Sequence, residues 1–299
     1  MNYSDHLRKE GVAIFLFHGV IREQRFAVRN YTGKHLLRER FVSVLEDLHH
    51  HGTAVSLEEI VAAQRGKPLP ERAFAVTFDD GFENNYSVAA PILSGLEIPA
   101  TFYVTTGFIE SNDSSWIDRI EYAVEGKGQF QLALPFREGG RRYATREEKV
   151  GLLEEIRRFV KNDPTVDPYA FAQDICRQLG MTAMAPEPDL DQKMSWDQIR
   201  VLSQNGLFLI GGHGHTHRIL AYLDSKALEE EIVQSLTKLR RQLGSPVEHY
   251  SYPEGLSHCY SDRVIRLLRD HGIFCAVTAE EGINRPGDDL FRLKRIMVT

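Results

Sequence analysis

The chain has 299 residues, 42% of them hydrophobic, enough to bury a sizeable core. A net charge of −6 and the lack of any basic run argue against a nucleic-acid binder, although a polyanionic partner met by local basic residues stays open. The three cysteines, Cys176, Cys259 and Cys275, are odd in number and far apart, which argues against a disulfide framework or a cysteine-based zinc site. Residues 1–10 lack the apolar stretch of a leader peptide, so the expected location is the cytoplasm. No stretch approaches the ~20 apolar residues of a membrane span.

Taken in chain order, short apolar runs rich in β-forming residues fall at 12–17, 53–55, 74–78, 100–104, 207–210, 249–252, 273–277 and 296–298. Helical periodicity lies between them at 35–50, 85–95, 195–205, 225–243 and 261–271. In 225–243, Leu228, Ile232, Leu236 and Leu239 mark one buried stripe. Gly272 supplies a helix stop after 261–271. Strand–helix alternation of this kind predicts an α/β protein with parallel strands, closed as an irregular (β/α) barrel. The rhythm breaks between 109 and 194. There, 117–126, 145–162 and 167–180 read as helices, and Ala185-Pro186-Glu187-Pro188-Asp189 reads as an exit linker. The expectation is one barrel domain over 1–299 with a helical insertion at about 109–194 on its rim, acting as a lid or a substrate-shaping wall.

Two motifs carry the chemistry. Thr77-Phe78-Asp79-Asp80-Gly81 ends one apolar run, and Gly212-His213-Gly214-His215-Thr216-His217 ends another. Carboxylates and imidazoles delivered at strand C-terminal ends are what a barrel places on its catalytic rim. One Asp and two His would hold a metal and leave a position open for water. Zinc, nickel, cobalt and iron all suit such donors. Two His and a carboxylate also describe the non-haem iron triad, against which the barrel pattern and the second Asp argue.

On these residues the chain resembles the NodB-like polysaccharide deacetylases. T-F-D-D-G is matched at 77–81. The spacing of H-[ST]-x-x-H is matched by His213 and His217, with Gly214 in the Ser/Thr position. Tyr252-Pro253-Glu254-Gly255 matches a Y-P-x-G third motif. The resemblance implies a distorted (β/α)7-type barrel and a divalent metal ion, zinc first, with cobalt or nickel as alternatives. It implies Asp80, His213 and His217 as ligands and Asp79 as general base. The substrate class implied is an N-acetylated sugar or glycan, and no oligomeric state follows. His215 is expected to line the pocket or support the ligands. Tyr252 and Pro253 are expected at the substrate, the backbone N–H of Tyr252 or a neighbour helping to polarise the carbonyl. Apart from the resemblance, Trp116 at the start of the insertion would either stack on a sugar ring or be a buried core residue.

Two departures stand out. The family's late His is missing, since no His follows His271, and His18, ending the first strand, is the candidate acid in its place. Ser251 stands where many relatives have the Arg that orients the base, and Arg295 is the candidate to supply that guanidinium. Two rivals follow from these departures: a hydrolase of the same fold acting on a small non-sugar amide, and a carbohydrate-binding protein that has lost activity.

Overall fold

Uninterrupted apolar runs such as Ala13–Phe17 and Ala73–Phe78 have no polar face to show to water, so both faces of their sheet must be covered. In the computed structural model, which describes residues 2–63 and 66–299, every residue of both runs is buried. The chain splits into two compact units, one of residues 1–23, 34–113 and 188–299, the other of 24–33 and 114–187.

The first unit is built on eight parallel strands. They are β1 (Ala13–Phe17), β2 (Thr53–Ala54), β3 (Ala73–Phe78), β4 (Ala100–Val104), β5 (Phe208–Gly212), β6 (His249–Ser251), β7 (Cys275–Val277) and β8 (Ile296–Met297). Seven of them run in the order β7-β6-β5-β4-β3-β1-β8, with β2 paired to the start of β3. The two edges meet through a parallel bridge between Val277 and Leu293, where the Thr278 N–H donates to the Leu293 carbonyl at 2.8 Å. This is the distorted seven-stranded barrel that the alternation and the resemblance predict.

Alternation along β3 sorts its side chains. Phe74, Val76 and Phe78 join the core beneath the helices, while Ala73 and Ala75 face an inner core with Ile14, Tyr103 and Leu293. Phe78 stacks on Phe17 at 5.4 Å and on Phe102 at 5.0 Å between ring centroids. Truncating such a Phe to Ala costs about 3–5 kcal/mol. The same parity carries 77 and then 79 to the inner side.

The helices of this unit are α1 (Arg38–His51), α2 (Leu57–Ala63), α3 (Ala90–Gly95), α4 (Thr106–Ser111), and, after the second unit, α8 (Trp196–Ser203), α9 (Ser225–Leu243) and α10 (Asp262–Asp270). The predicted helix at 85–95 opens instead as a π-helical turn, Asn85–Ala89. α9 is capped by Asp224, which accepts from the Ala227 N–H, and stops at Gly244 with φ +67°.

The second unit holds α5 (Trp116–Glu125), α6 (Arg146–Asn162) and α7 (Pro168–Gln178) around its own apolar core. The insertion therefore differs from the expected one in two ways. It contains an antiparallel pair, Phe130–Leu132 with Arg141–Tyr143, in a stretch read as strandless. Its limits also move: residues 109–113 and 188–194 belong with the barrel, while 24–33 joins the helices. The cause of the latter is specific. Glu125 accepts from the N–H groups of Ala27, Val28 and Arg29, and Glu121 from that of Asn30. Residues 188–194 are tied to the barrel by the Met194 N–H to the Gly81 carbonyl at 3.0 Å and the Glu83 N–H to the Gln192 carbonyl at 2.7 Å.

Candidate metal centre and catalytic site

Asp79 follows β3 on the inner face. Asp80 then adopts φ +76° and Gly81 φ +79°. An aspartate in the left-handed region is uncommon, and this turn brings two adjacent carboxylates to one place that an extended strand would send to opposite faces. His213 follows directly on β5, and its ring is buried. His217, four residues on, also has positive φ, +58°. Backbone strain at two of the three candidate ligands is what a pre-organised site looks like.

The ligand atoms of Asp80, His213 and His217 lie within 4.8 Å of one another. Asp80 Oδ1 is 3.4 Å from His213 Nε2 and 3.3 Å from His217 Nε2. That oxygen is buried and makes no hydrogen bond of acceptable geometry. A buried carboxylate oxygen without a donor, facing two ring nitrogens, is the donor set a divalent cation takes up, so the residues fit one. His213 Nδ1 lies 2.8 Å from the Ser251 carbonyl. A carbonyl only accepts, so Nδ1 carries the proton and the Nε2 lone pair points to Asp80. The Phe108 ring stacks on His217 at 5.9 Å. Burial alone would raise the Asp80 carboxyl, but the imidazoles of His213 and His217 outweigh it and hold the group well below the usual carboxylate range. Burial would lower the His217 imidazole, and Asp80 reverses that and raises it.

Asp79 is treated differently. Arg295 Nη1 donates to Oδ1 at 2.8 Å and Nη2 to Oδ2 at 2.7 Å, a bidentate pair. Ser251 Oγ donates to Oδ2 at 3.1 Å. Arg295 is 1% exposed and fixed by further bonds to the Thr278 carbonyl at 2.6 Å, Ser251 Oγ at 3.0 Å and Thr77 Oγ1 at 3.3 Å. The structure thus brings the guanidinium of Arg295 to Asp79. Ser251, which sequence reasoning counted only as a lost Arg, bonds both partners. Burial pushes the Asp79 carboxyl up, and Arg295 with His213 overcomes this and leaves it lowered.

His18 ends β1 close enough to both aspartates to feel their charge. Burial nevertheless pushes its imidazole down to about 4 against Asp80 and Asp79. His18 is therefore neutral at physiological pH in this state.

Tyr252, Pro253 and Trp116 are engaged elsewhere than at an expected substrate contact, whereas His215 supports the ligand loop, one of its two expected roles. The Tyr252 ring is buried with its hydroxyl donating to the Phe291 carbonyl at 2.9 Å, and its N–H donates to the Val277 carbonyl at 3.3 Å. Neither group is available to a substrate carbonyl, and Pro253, buried beside it, has no N–H. His215 turns its ring to Thr106, Nδ1 to Oγ1 at 2.9 Å, and its carbonyl accepts from the Gly107 N–H at 2.8 Å. It ties the ligand loop to α4. Trp116 is 3% exposed in the core of the second unit, leaving no ring face open for a sugar.

Residues 66–276, more than half of the chain, match the pattern of the polysaccharide deacetylase family. Among curated proteins, the Escherichia coli K12 poly-beta-1,6-N-acetyl-D-glucosamine N-deacetylase is 37% identical over 83 residues, 27% of this chain and 11% of that protein. The chain thus matches only a small part of that relative's length. Among solved structures, the Streptococcus pyogenes deacetylase PplD in complex with acetate aligns with a TM-score of 0.62 at 18% identity, covering 96% of this chain and 92% of the other. IcaB from Ammonifex degensii aligns at 0.60 and 21% identity, covering 97% and 93%. These two likenesses show the shared barrel. With its T-F-D-D-G turn, its paired histidines and its barrel in place, the chain belongs to the polysaccharide deacetylase family.

Proposed function

We propose that this protein hydrolyses the N-acetyl group of an amino sugar within a glycan, with a divalent cation, zinc first, held by Asp80, His213 and His217. The observation that carries the reading is the pairing of a donor-free Asp80 oxygen facing two imidazoles with an adjacent Asp79 anchored by Arg295. The name of the curated relative supports an N-acetylglucosamine polymer as the substrate class.

When bound, the cation supplies Lewis acidity toward water and the acetyl carbonyl. The chain's own residues do the rest. Asp79, ionised at neutral pH because Arg295 offsets its burial, takes a proton from the attacking water. The water oxygen bonds to the acetyl carbon, the C–N bond breaks, and the amine nitrogen gains a proton. Arg295 keeps Asp79 in one rotamer with its charge partly neutralised, so the base is positioned without becoming a ligand. We assign His18 to the proton transfer to the amine. Being neutral at rest, it carries to the amine nitrogen the proton that Asp79 takes from the water, so Asp79 ends the cycle ionised again.

The experiment is acetate release from N-acetylglucosamine oligomers, sugar nucleotides and small linear and cyclic amides. Chelated protein is assayed with and without zinc, cobalt or nickel. Metal-restored release from the oligomers is expected. Release from the non-sugar amides alone would replace the substrate class, and glycan binding with no release at any metal would point to a binding protein.

A further inference from the structure

The loop that carries the two histidines is itself held by a group outside the catalytic set. Glu231 lies on α9 with 7% of its surface exposed, on the same face as Leu228, Ile232 and Leu236. A carboxylate on an apolar helix face needs donors, and here three converge on it. Glu231 Oε1 accepts from the His215 N–H at 2.7 Å and the Thr216 N–H at 2.6 Å, and Oε2 accepts from Thr216 Oγ1 at 2.8 Å. The bonded residues are the two immediately before His217. On the opposite side the loop is tied to β4 and α4: His213 N–H to the Val104 carbonyl at 3.0 Å, Thr106 N–H to the Gly214 carbonyl at 3.2 Å and Gly107 N–H to the His215 carbonyl at 2.8 Å. Gly214 has φ +75°, and a Cβ there would lie 2.9 Å from Glu231 Oε1. Any larger residue would have to displace a carboxylate already committed to three bonds.

We infer that Glu231 is a positioning residue for the metal centre: its carboxylate orders the Gly214–Thr216 backbone so that His217, in its left-handed conformation, presents Nε2 to Asp80, and Gly214 is the residue that leaves the carboxylate room. The inference rests on the metal reading above. Partners that orient a metal ligand from behind are worth about 10–100-fold in metal affinity. A carboxamide in the same place keeps an oxygen for the two N–H donors and loses the charge. A methyl group keeps nothing.

The test is cobalt binding by the apo protein, read as the visible absorption of the bound ion and as a dissociation constant, with far-UV circular dichroism and thermal unfolding on the same samples. Glu231→Ala is expected to weaken cobalt about 10–100-fold and change the visible spectrum, with secondary structure retained. Glu231→Gln is expected to restore affinity to within about threefold of wild type. Gly214→Ala weakens cobalt when Glu231 is present, and less so when combined with Glu231→Ala, because the two residues compete for one space. If Glu231→Ala does not fold, Glu231→Met, which keeps the volume and removes the acceptors, carries the same prediction. Wild-type affinity and spectrum in a folded Ala or Met variant would overturn the inference. Failure of the wild type itself to bind cobalt, nickel or zinc would instead overturn the metal reading.

Discussion

Asp79 and Asp80 are neighbours in sequence and opposites in environment. Asp79 has each oxygen bonded, to Arg295 on both and to Ser251 on one. Asp80 has a buried oxygen with no donor, turned toward two imidazoles. Both carboxyls lie below the usual range, yet by different means: a fixed guanidinium holds one, and two neighbouring imidazoles hold the other. The comparison teaches that the proposed roles of ligand and base follow from what surrounds each carboxylate and not from residue type. One residue of register, followed by a left-handed turn, is enough to separate the roles.

The largest effect should come from the ligand side. Asp80→Ala is expected to abolish tight metal binding and lower turnover on the order of 10³-fold, because a Lewis acid contributes several kcal/mol at the transition state. Atomic absorption on the dialysed variant, together with its turnover, checks this. The next effect breaks the anchored side. Asp79→Asn leaves Arg295 buried without its anion, a loss of about 3–5 kcal/mol in unfolding free energy, while cobalt still binds.

Arg295→Met probes the same pair through pH. The folded Asp79 carboxyl is lowered, so its base form persists above that value and is lost as pH falls through it. Without Arg295, burial dominates and raises the carboxyl. The acid limb of kcat/KM is then expected to move up by about 1–3 pH units, and an unmoved limb would show that Arg295 does not tune the base. Ser251→Ala removes one of Asp79's bonds and should cost about 1 kcal/mol, roughly a fivefold fall in kcat. Smallest of all, Trp116→Phe should leave KM within about twofold, because the indole is a core group of the second unit. A large rise in KM would restore it to the substrate.

Much of this was legible in the sequence where local pattern decides. The apolar runs at 74–78 and 100–104 became strands within a residue, and 225–243 became α9 with its stripe buried. The clustering of Asp80, His213 and His217 was legible because both motifs sit at strand ends. Arg295 was reachable only through the resemblance, which implies an Arg where this chain has Ser251. What stayed hidden depends on long-range pairing. The transfer of 24–33 to the helical unit hangs on Glu121 and Glu125 meeting backbone N–H groups more than ninety residues earlier in the chain. The engaged N–H of Tyr252 depends on the register of β6 against β7. Glu231 left one readable trace, a carboxylate three residues after Leu228 on the apolar face of a helix. A buried charge there announces a partner without saying which.

The most direct test of the division between the two aspartates is a cobalt titration of apo wild type, Asp79→Asn and Asp80→Asn, with acetate release from N-acetylglucosamine oligomers measured on the same samples. Asp79→Asn is predicted to bind cobalt with near wild-type affinity and release almost no acetate, and Asp80→Asn to lose both. Loss of cobalt in Asp79→Asn with retention in Asp80→Asn would reverse the assignment of ligand and base.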